Sequence, residues 1–177
     1  MTPEEYRQIT AFARVDGALL AGVWTVSFAC NIAGMDGSML VMAGLLLAVC
    51  SPFFVASRLR KFRDGARDGI ISFMQAYAYT ALAFFYAAIL FAVVQFVYFR
   101  FIDNGYVMSH VMAVMNDEQT RQALTAYGMA DAMDESIRQM AQTRPIDYAM
   151  GYLPLNILAG LILGLPIAAV MQRRQKQ

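Results

Sequence analysis

An apolar run of 33 residues, Ile70 to Ile102, interrupted by a single charge at Arg100, constrains this chain more than any other feature. Wound into one helix it would be roughly 50 Å long, against a bilayer hydrocarbon core of about 30 Å. Three further apolar stretches accompany it: Gly17 to Ala33, Met39 to Ala56 and Leu153 to Met171. The chain is 59% hydrophobic and 15% charged, whereas soluble domains average roughly 45–50% and about 25%. A soluble domain of 177 residues is too small to hide that excess, so lipid is its natural solvent. Barrel strands need only about ten alternating residues, and these runs are longer and apolar on both faces. The expected fold is therefore all-α, an integral membrane protein built as a four-transmembrane-helix bundle. Residues 1–177 form a single membrane domain with spans at 17–33, 39–56, 70–102 and 153–171.

The polar stretches set the connections. Thr2-Pro3-Glu4-Glu5 has the order of a helix start, with a hydroxyl cap, proline in the first turn and then acids. A short interfacial helix should follow and lead into the membrane, with Asp16 at the boundary. The acidic start and the long first apolar stretch do not resemble a cleavable signal, so the first span itself is expected to direct insertion. Gly34-Met35-Asp36-Gly37-Ser38 reads as a tight turn. A basic loop follows the second span, with Arg58, Arg60, Lys61, Arg63 and Arg67. Placing that loop inside puts ten Lys and Arg on one side, counting Arg7, Arg14, Arg173, Arg174 and Lys176, and four on the other (Arg100, Arg121, Arg138, Arg144). The positive-inside rule then predicts cytoplasmic N- and C-termini. In a bacterium with two membranes the protein would lie in the inner one, with 103–147 periplasmic.

That excursion carries seven acids against three arginines. Asn116 followed by Gln119 resembles a capping box, and an amphipathic helix from about 117 to 142, broken at Gly128, would set Met129, Met133, Ile137 and Met140 on one face. Its acidity favours contact with a protein over adhesion to an anionic leaflet.

Several polar and small residues are candidates for function. Gln75 and Tyr79 share a face at the start of the third apolar run, beside Tyr77 and Thr80, and Gln95 lies near its far end. Such groups bond across helices or line a wet cavity. Asn156, Gly160 and Gly164 recur every fourth residue on the last span, and Ala18 with Gly22 repeats the pattern on the first. Small residues at that spacing let helix backbones approach. The basic loop either sets orientation alone or also holds anionic lipid headgroups. Cys30 and Cys50 read as small buried hydrophobes, not as a disulfide. Met108, His110 and Met112 do not form a metal site, because on a helix position 110 faces away from the other two. With one histidine, no glycine-rich phosphate loop and no acid inside a span, no catalytic set or cofactor is expected. The net charge of +1 says little about nucleic acid, but the basic residues lie in short clusters beside apolar runs, as membranes arrange them, so no nucleic-acid partner is expected.

Two segments, Gly69-Ile70-Ile71-Ser72-Phe73-Met74-Gln75-Ala76 and Tyr98-Phe99-Arg100-Phe101-Ile102-Asp103, resemble the bacterial membrane family catalogued as domain of unknown function 4199. So does the closing Leu153-Pro154-Leu155-Asn156 with Gly160 and Gly164, and the likeness runs over roughly residues 14 to 171. The resemblance implies a four-span inner-membrane protein without an assigned activity. Members are often encoded near glycosyltransferases acting on polyprenyl-phosphate lipids, which implies such an enzyme as one candidate partner. The sequence thus points to a non-catalytic accessory or scaffold subunit of a membrane complex, touching membrane lipid and either another membrane protein or further copies of itself. A small transporter or lipid-handling protein is the alternative.

Overall fold

The computed structural model describes residues 1–37 and 39–173. Helix α1, Pro3–Ala33, is unbroken over 31 residues. Its start is a complete capping box, in which the Glu5 amide donates to Thr2 Oγ1 (3.2 Å) and the Thr2 amide to Glu5 Oε2 (2.8 Å). The expected separate interfacial helix is therefore the first half of one continuous rod. Nothing between Tyr6 and Gly17 breaks a helix, and Asp16 alone does not.

The second apolar stretch is divided. Helices α2 (Leu40–Val49) and α3 (Ser51–Ala66) meet at a bend of 42°. Pro52 sits in the first turn of α3, where its missing N–H and its ring interrupt the ladder. Trp24 of α1 braces the break by donating from Nε1 to Ser51 Oγ at 2.8 Å. Cys50, at the same break, is exposed, Cys30 is half-buried, and both are free thiols; neither is a buried residue as expected. The basic loop also needs correction: α3 runs on to Ala66, so Arg58, Arg60, Lys61 and Arg63 are helical. Arginine, lysine and leucine are good helix formers, and the change in polarity there marks an environment, not a break in the backbone.

The third apolar run begins helical structure at Phe73, in α4 (Phe73–Val97), and ends in a π-helical turn at Tyr98–Ile102. Ser72 and Gln75 cap it reciprocally: the Gln75 amide donates to Ser72 Oγ (3.3 Å) and the Ser72 amide to Gln75 Oε1 (3.1 Å). Ile70 and Ile71 lie ahead of the helix, and Ile71 pairs with Arg173 in a single antiparallel bridge (N–H···O 3.0 and 2.9 Å).

Helices α5 (Tyr106–Asn116), α6 (Glu118–Ala126) and α7 (Ala130–Gln142) follow, and α8, Pro145–Met171, closes the chain. The break at Gly128 is present, with φ at +67°, a conformation that glycine adopts without strain. The cap one element earlier differs from expectation. Asp117, not Asn116, is the N-cap of α6 and accepts from the Thr120 amide at 3.2 Å.

Among the described residues three helices, α1, α4 with its π turn, and α8, are long and apolar enough to cross a membrane, or up to four if the bent α2–α3 pair counts as one span. The chain divides into two units, residues 1–94 with those from 151 onward, and residues 95–150. In the first, Ile9, Ala13 and Leu20 of α1, Leu59 and Phe62 of α3, Ala76, Tyr79, Ala83, Phe84 and Ala87 of α4, and Ile167 and Ala168 of α8 form the core. Backbone proximity sets its spacing. A methyl on Gly17 would lie 2.7 Å from the Ala83 carbonyl, and one on Gly44 would lie 2.8 Å from the Ser27 carbonyl. Large apolar residues point outward on the same helices, among them Val15, Leu19, Leu46, Leu90, Leu158 and Ile162.

In the second unit the helices are short and carry their charges outward. Arg121 reaches Asp134 at 3.6 Å, Tyr148 donates to the Met140 carbonyl (2.9 Å), and Phe99 stacks on Tyr148 at 4.7 Å. Met133, Ile137 and Met140 are the half-buried stripe of α7.

Candidate functional site

Helix α1 carries Ala13, Asp16, Gly17 and Leu20 on one buried face, the i, i+3, i+4, i+7 set. Asp16 is thereby held inside the packed helices, 4% exposed. Arg58 of α3 reaches its Oδ1 with Nε at 2.6 Å and Nη2 at 2.5 Å, and the Tyr79 hydroxyl of α4 donates to Oδ2. Phe62 stacks on the Tyr79 ring at 5.1 Å. A lone carboxylate in such surroundings would cost several kcal/mol. Here both oxygens are satisfied, one by a guanidinium and one by a phenol, and three helices are tied at one point.

A second network lies on the same helices, nearer the start of α1. Arg67 Nη2 donates to Glu5 Oε1 at 2.7 Å, and Gln75 Nε2 donates to the same oxygen at 2.9 Å. Gln8 donates from Nε2 to the Ala66 carbonyl (3.3 Å) and accepts from Arg67 Nη1 (3.4 Å). Arg63 is buried and holds both oxygens of Asp64 (2.7 and 3.2 Å), while its Nη1 donates to the Met171 carbonyl at 3.0 Å. That carbonyl belongs to the last turn of α8, where a helix presents unpaired acceptors and partial negative charge.

These contacts redistribute the residues singled out in the sequence. Of the five cations, Arg58, Arg63 and Arg67 bond other parts of the chain, and Arg60 and Lys61 are exposed. Gln75 and Tyr79 do share a face, but Tyr79 is fully buried and both already have partners. Gln95 is buried in the second unit, and its Oε1 has no hydrogen-bond partner.

Gly160 and Gly164 are buried on α8. A methyl at Gly160 would collide with Phe84, and one at Gly164 would touch Tyr77 at 3.2 Å, so both face α4 within the chain. Asn156 is half-buried on the same helix. The Ala18–Gly22 pair is turned the other way: both residues are exposed and nothing lies within 4 Å of a methyl at Gly22. The packing stripe of α1 runs instead through Ala13, Gly17 and Ala21. The sequence marks Asp16 only as a boundary residue. The signal for its role was present in the one acid at the mouth of the first apolar stretch and the surplus of arginines after the second.

The arrangement is closed around its own side chains. Tyr79 is fully buried and both Asp16 oxygens have partners, so the cluster clamps three helices together. Apolar helices long enough to cross a bilayer, cross-linked by a buried acid–arginine–tyrosine cluster, define a helical membrane protein. The chain belongs to the family described as protein of unknown function (DUF4199), whose model matches residues 16–173. No curated protein and no solved structure matches it.

Proposed function

We propose that this is a non-catalytic, four-span subunit of a membrane complex, with both termini on the cytoplasmic side of a bacterial inner membrane. The observation that supports the reading is the closure of the Asp16–Arg58–Tyr79 cluster: the buried acid of α1 and the polar groups facing it from α3 and α4 are used in holding the chain together. A transport or lipid-handling role calls for such groups to line a wet cavity, and Gln75 and Tyr79 are packed and bonded instead. What remains for interaction lies outside: the apolar helix faces with the exposed Ala18–Gly22 pair, and the acidic helices between α4 and α8.

The orientation rests on charge and on connectivity. Glu5 of α1, Arg67 after α3 and Gln75 of α4 form one network, and Ile71 before α4 pairs with Arg173 after α8. These contacts gather the early part of α1, the end of α3, the entry to α4 and the exit of α8 at one end, among most of the chain's cations. The bent α2–α3 pair then supplies the fourth crossing, and a chain crossing four times leaves 103–147 on the far side. Its excess of acids suits a partner with a basic face.

Purification from native membranes in mild detergent tests this reading. A stoichiometric partner is expected, either a membrane protein such as a polyprenyl-phosphate glycosyltransferase or a second copy of the chain. A lone, monodisperse protein overturns it.

A further inference from the structure

The outward face of α3 grades from oil to charge over three turns. Phe53, Ser57, Arg60, Lys61 and Asp64 follow at i, i+4, i+7, i+8 and i+11, so they share one side of the helix. Phe53 is 73% exposed and belongs to the apolar stretch, whereas the Arg60 side chain is 69% exposed about 6 Å beyond its last residue, Ala56. Between them Ser57, Arg60, Lys61, Asp64 and Gly65 line a shallow groove of about 580 Å3.

The charge in this groove is cationic despite Asp64. Both Asp64 oxygens are held by the buried Arg63, which cancels the acid locally. Arg60 approaches Asp64 only at 3.7 Å, in a solvent-exposed pair of the kind that contributes little. Lys61 is exposed beside it. The other three cations of the cluster are committed inside the fold, so this pair alone faces outward with no strong internal partner.

We propose that this groove binds the headgroup of an anionic phospholipid, with the phosphate between Ser57, Arg60 and Lys61 and an acyl chain along Phe53. The face has the polarity profile of the ligand: an aromatic ring where hydrocarbon would lie, a hydroxyl donor at the junction, and two cations at headgroup depth. Arginine supplies paired N–H donors to phosphate oxygens, and lysine supplies a compact charge. The site is independent of whether the chain has a protein partner.

Native mass spectrometry of the full chain released from nanodiscs of phosphatidylcholine, with and without phosphatidylglycerol, tests it. Each cation near an anionic surface is worth roughly fivefold, so wild type is expected to retain phosphatidylglycerol over phosphatidylcholine by about 25-fold. Arg60→Gln with Lys61→Gln should bring that preference close to parity with helix content unchanged, and Lys61→Gln alone should remove about fivefold of it. Arg138→Gln, which removes one charge in the second unit as Lys61→Gln does in the first, should leave the preference intact. Full preference in the double variant, or equal loss in the Arg138 control, overturns the site. Displacement of the lipid by inorganic phosphate would mean that bare anion is the ligand, and overturns it as well. Partner capture by the double variant from native membranes is expected to persist, so the two proposals fail separately.

Discussion

The two units of this chain use charge in opposite ways. In the first, charged and polar side chains from α1, α3 and α4 meet across helices far apart in sequence, and Asp16, Arg63 and Gln75 are almost wholly buried. In the second, pairs such as Arg138 with Glu135 or Arg144 with Asp147 join residues three apart and remain exposed. The difference follows from the surroundings. Among apolar helices an unpaired charge is expensive, so each charge must find a specific partner, and that partner fixes how helices sit. Where the charges of short helices are exposed, the alternative to pairing is hydration, which costs little.

The largest effect should come from breaking the buried pair. Arg58→Ala leaves Asp16 uncompensated and is expected to cost about 3 kcal/mol, the low end for a broken buried pair because the Arg58 side chain is 30% exposed. Thermal unfolding in detergent measures the loss, and adding Asp16→Asn to the same chain should restore most of it. Should Asp16→Asn bring no recovery, Arg58 stabilises by its stem rather than its charge. Next, Tyr79→Phe removes one hydrogen bond to an ion while keeping the ring stack on Phe62, for about 2 kcal/mol by the same measurement.

A third test separates the two glycine patterns. Gly160→Ala forces a methyl into Phe84 and should cost about 1–2 kcal/mol, while Gly22→Ala, a methyl in open space on a helix interior, should leave the isolated chain as stable or up to about 1 kcal/mol more so. If Gly22→Ala disturbs assembly without disturbing stability, the outward stripe is a contact between chains; cross-linking in native membranes reads this directly. The smallest effect belongs to the second unit. Arg121→Ala removes an exposed pair at 3.6 Å and should cost less than about 0.5 kcal/mol. A loss comparable to that of Arg58→Ala would erase the contrast between the units.

Much of the helical content was legible in the sequence because helix formation in lipid is dictated by length and polarity alone. The Thr2 cap and the break at Gly128 were legible for a local reason, since each depends on residues within one turn. The face that α1 buries was not. Ala18–Gly22 and Gly17–Ala21 have the same spacing and differ by one residue, about 100° around the axis. Choosing between them requires knowing that Asp16 must face Arg58, 42 positions away. The same gap hid the fate of the arginines. A run of cations after an apolar stretch looks alike whether its members bind lipid or hold the fold, and only the rotation of α3 tells Arg58 and Arg63 from Arg60 and Lys61. The bend at Pro52 could have been foreseen from a proline within the second span.

The bridge between Ile71 and Arg173, with the Arg63 bond to the Met171 carbonyl beside it, has a consequence for biosynthesis. The junction that joins α3 to α4 is clasped by the last residues of α8 to emerge from the ribosome. Until α8 and the residues just after it have been made, Arg63 and the Ile71 amide lack these native acceptors. The joint between α3 and α4 therefore locks only when the end of α8 arrives.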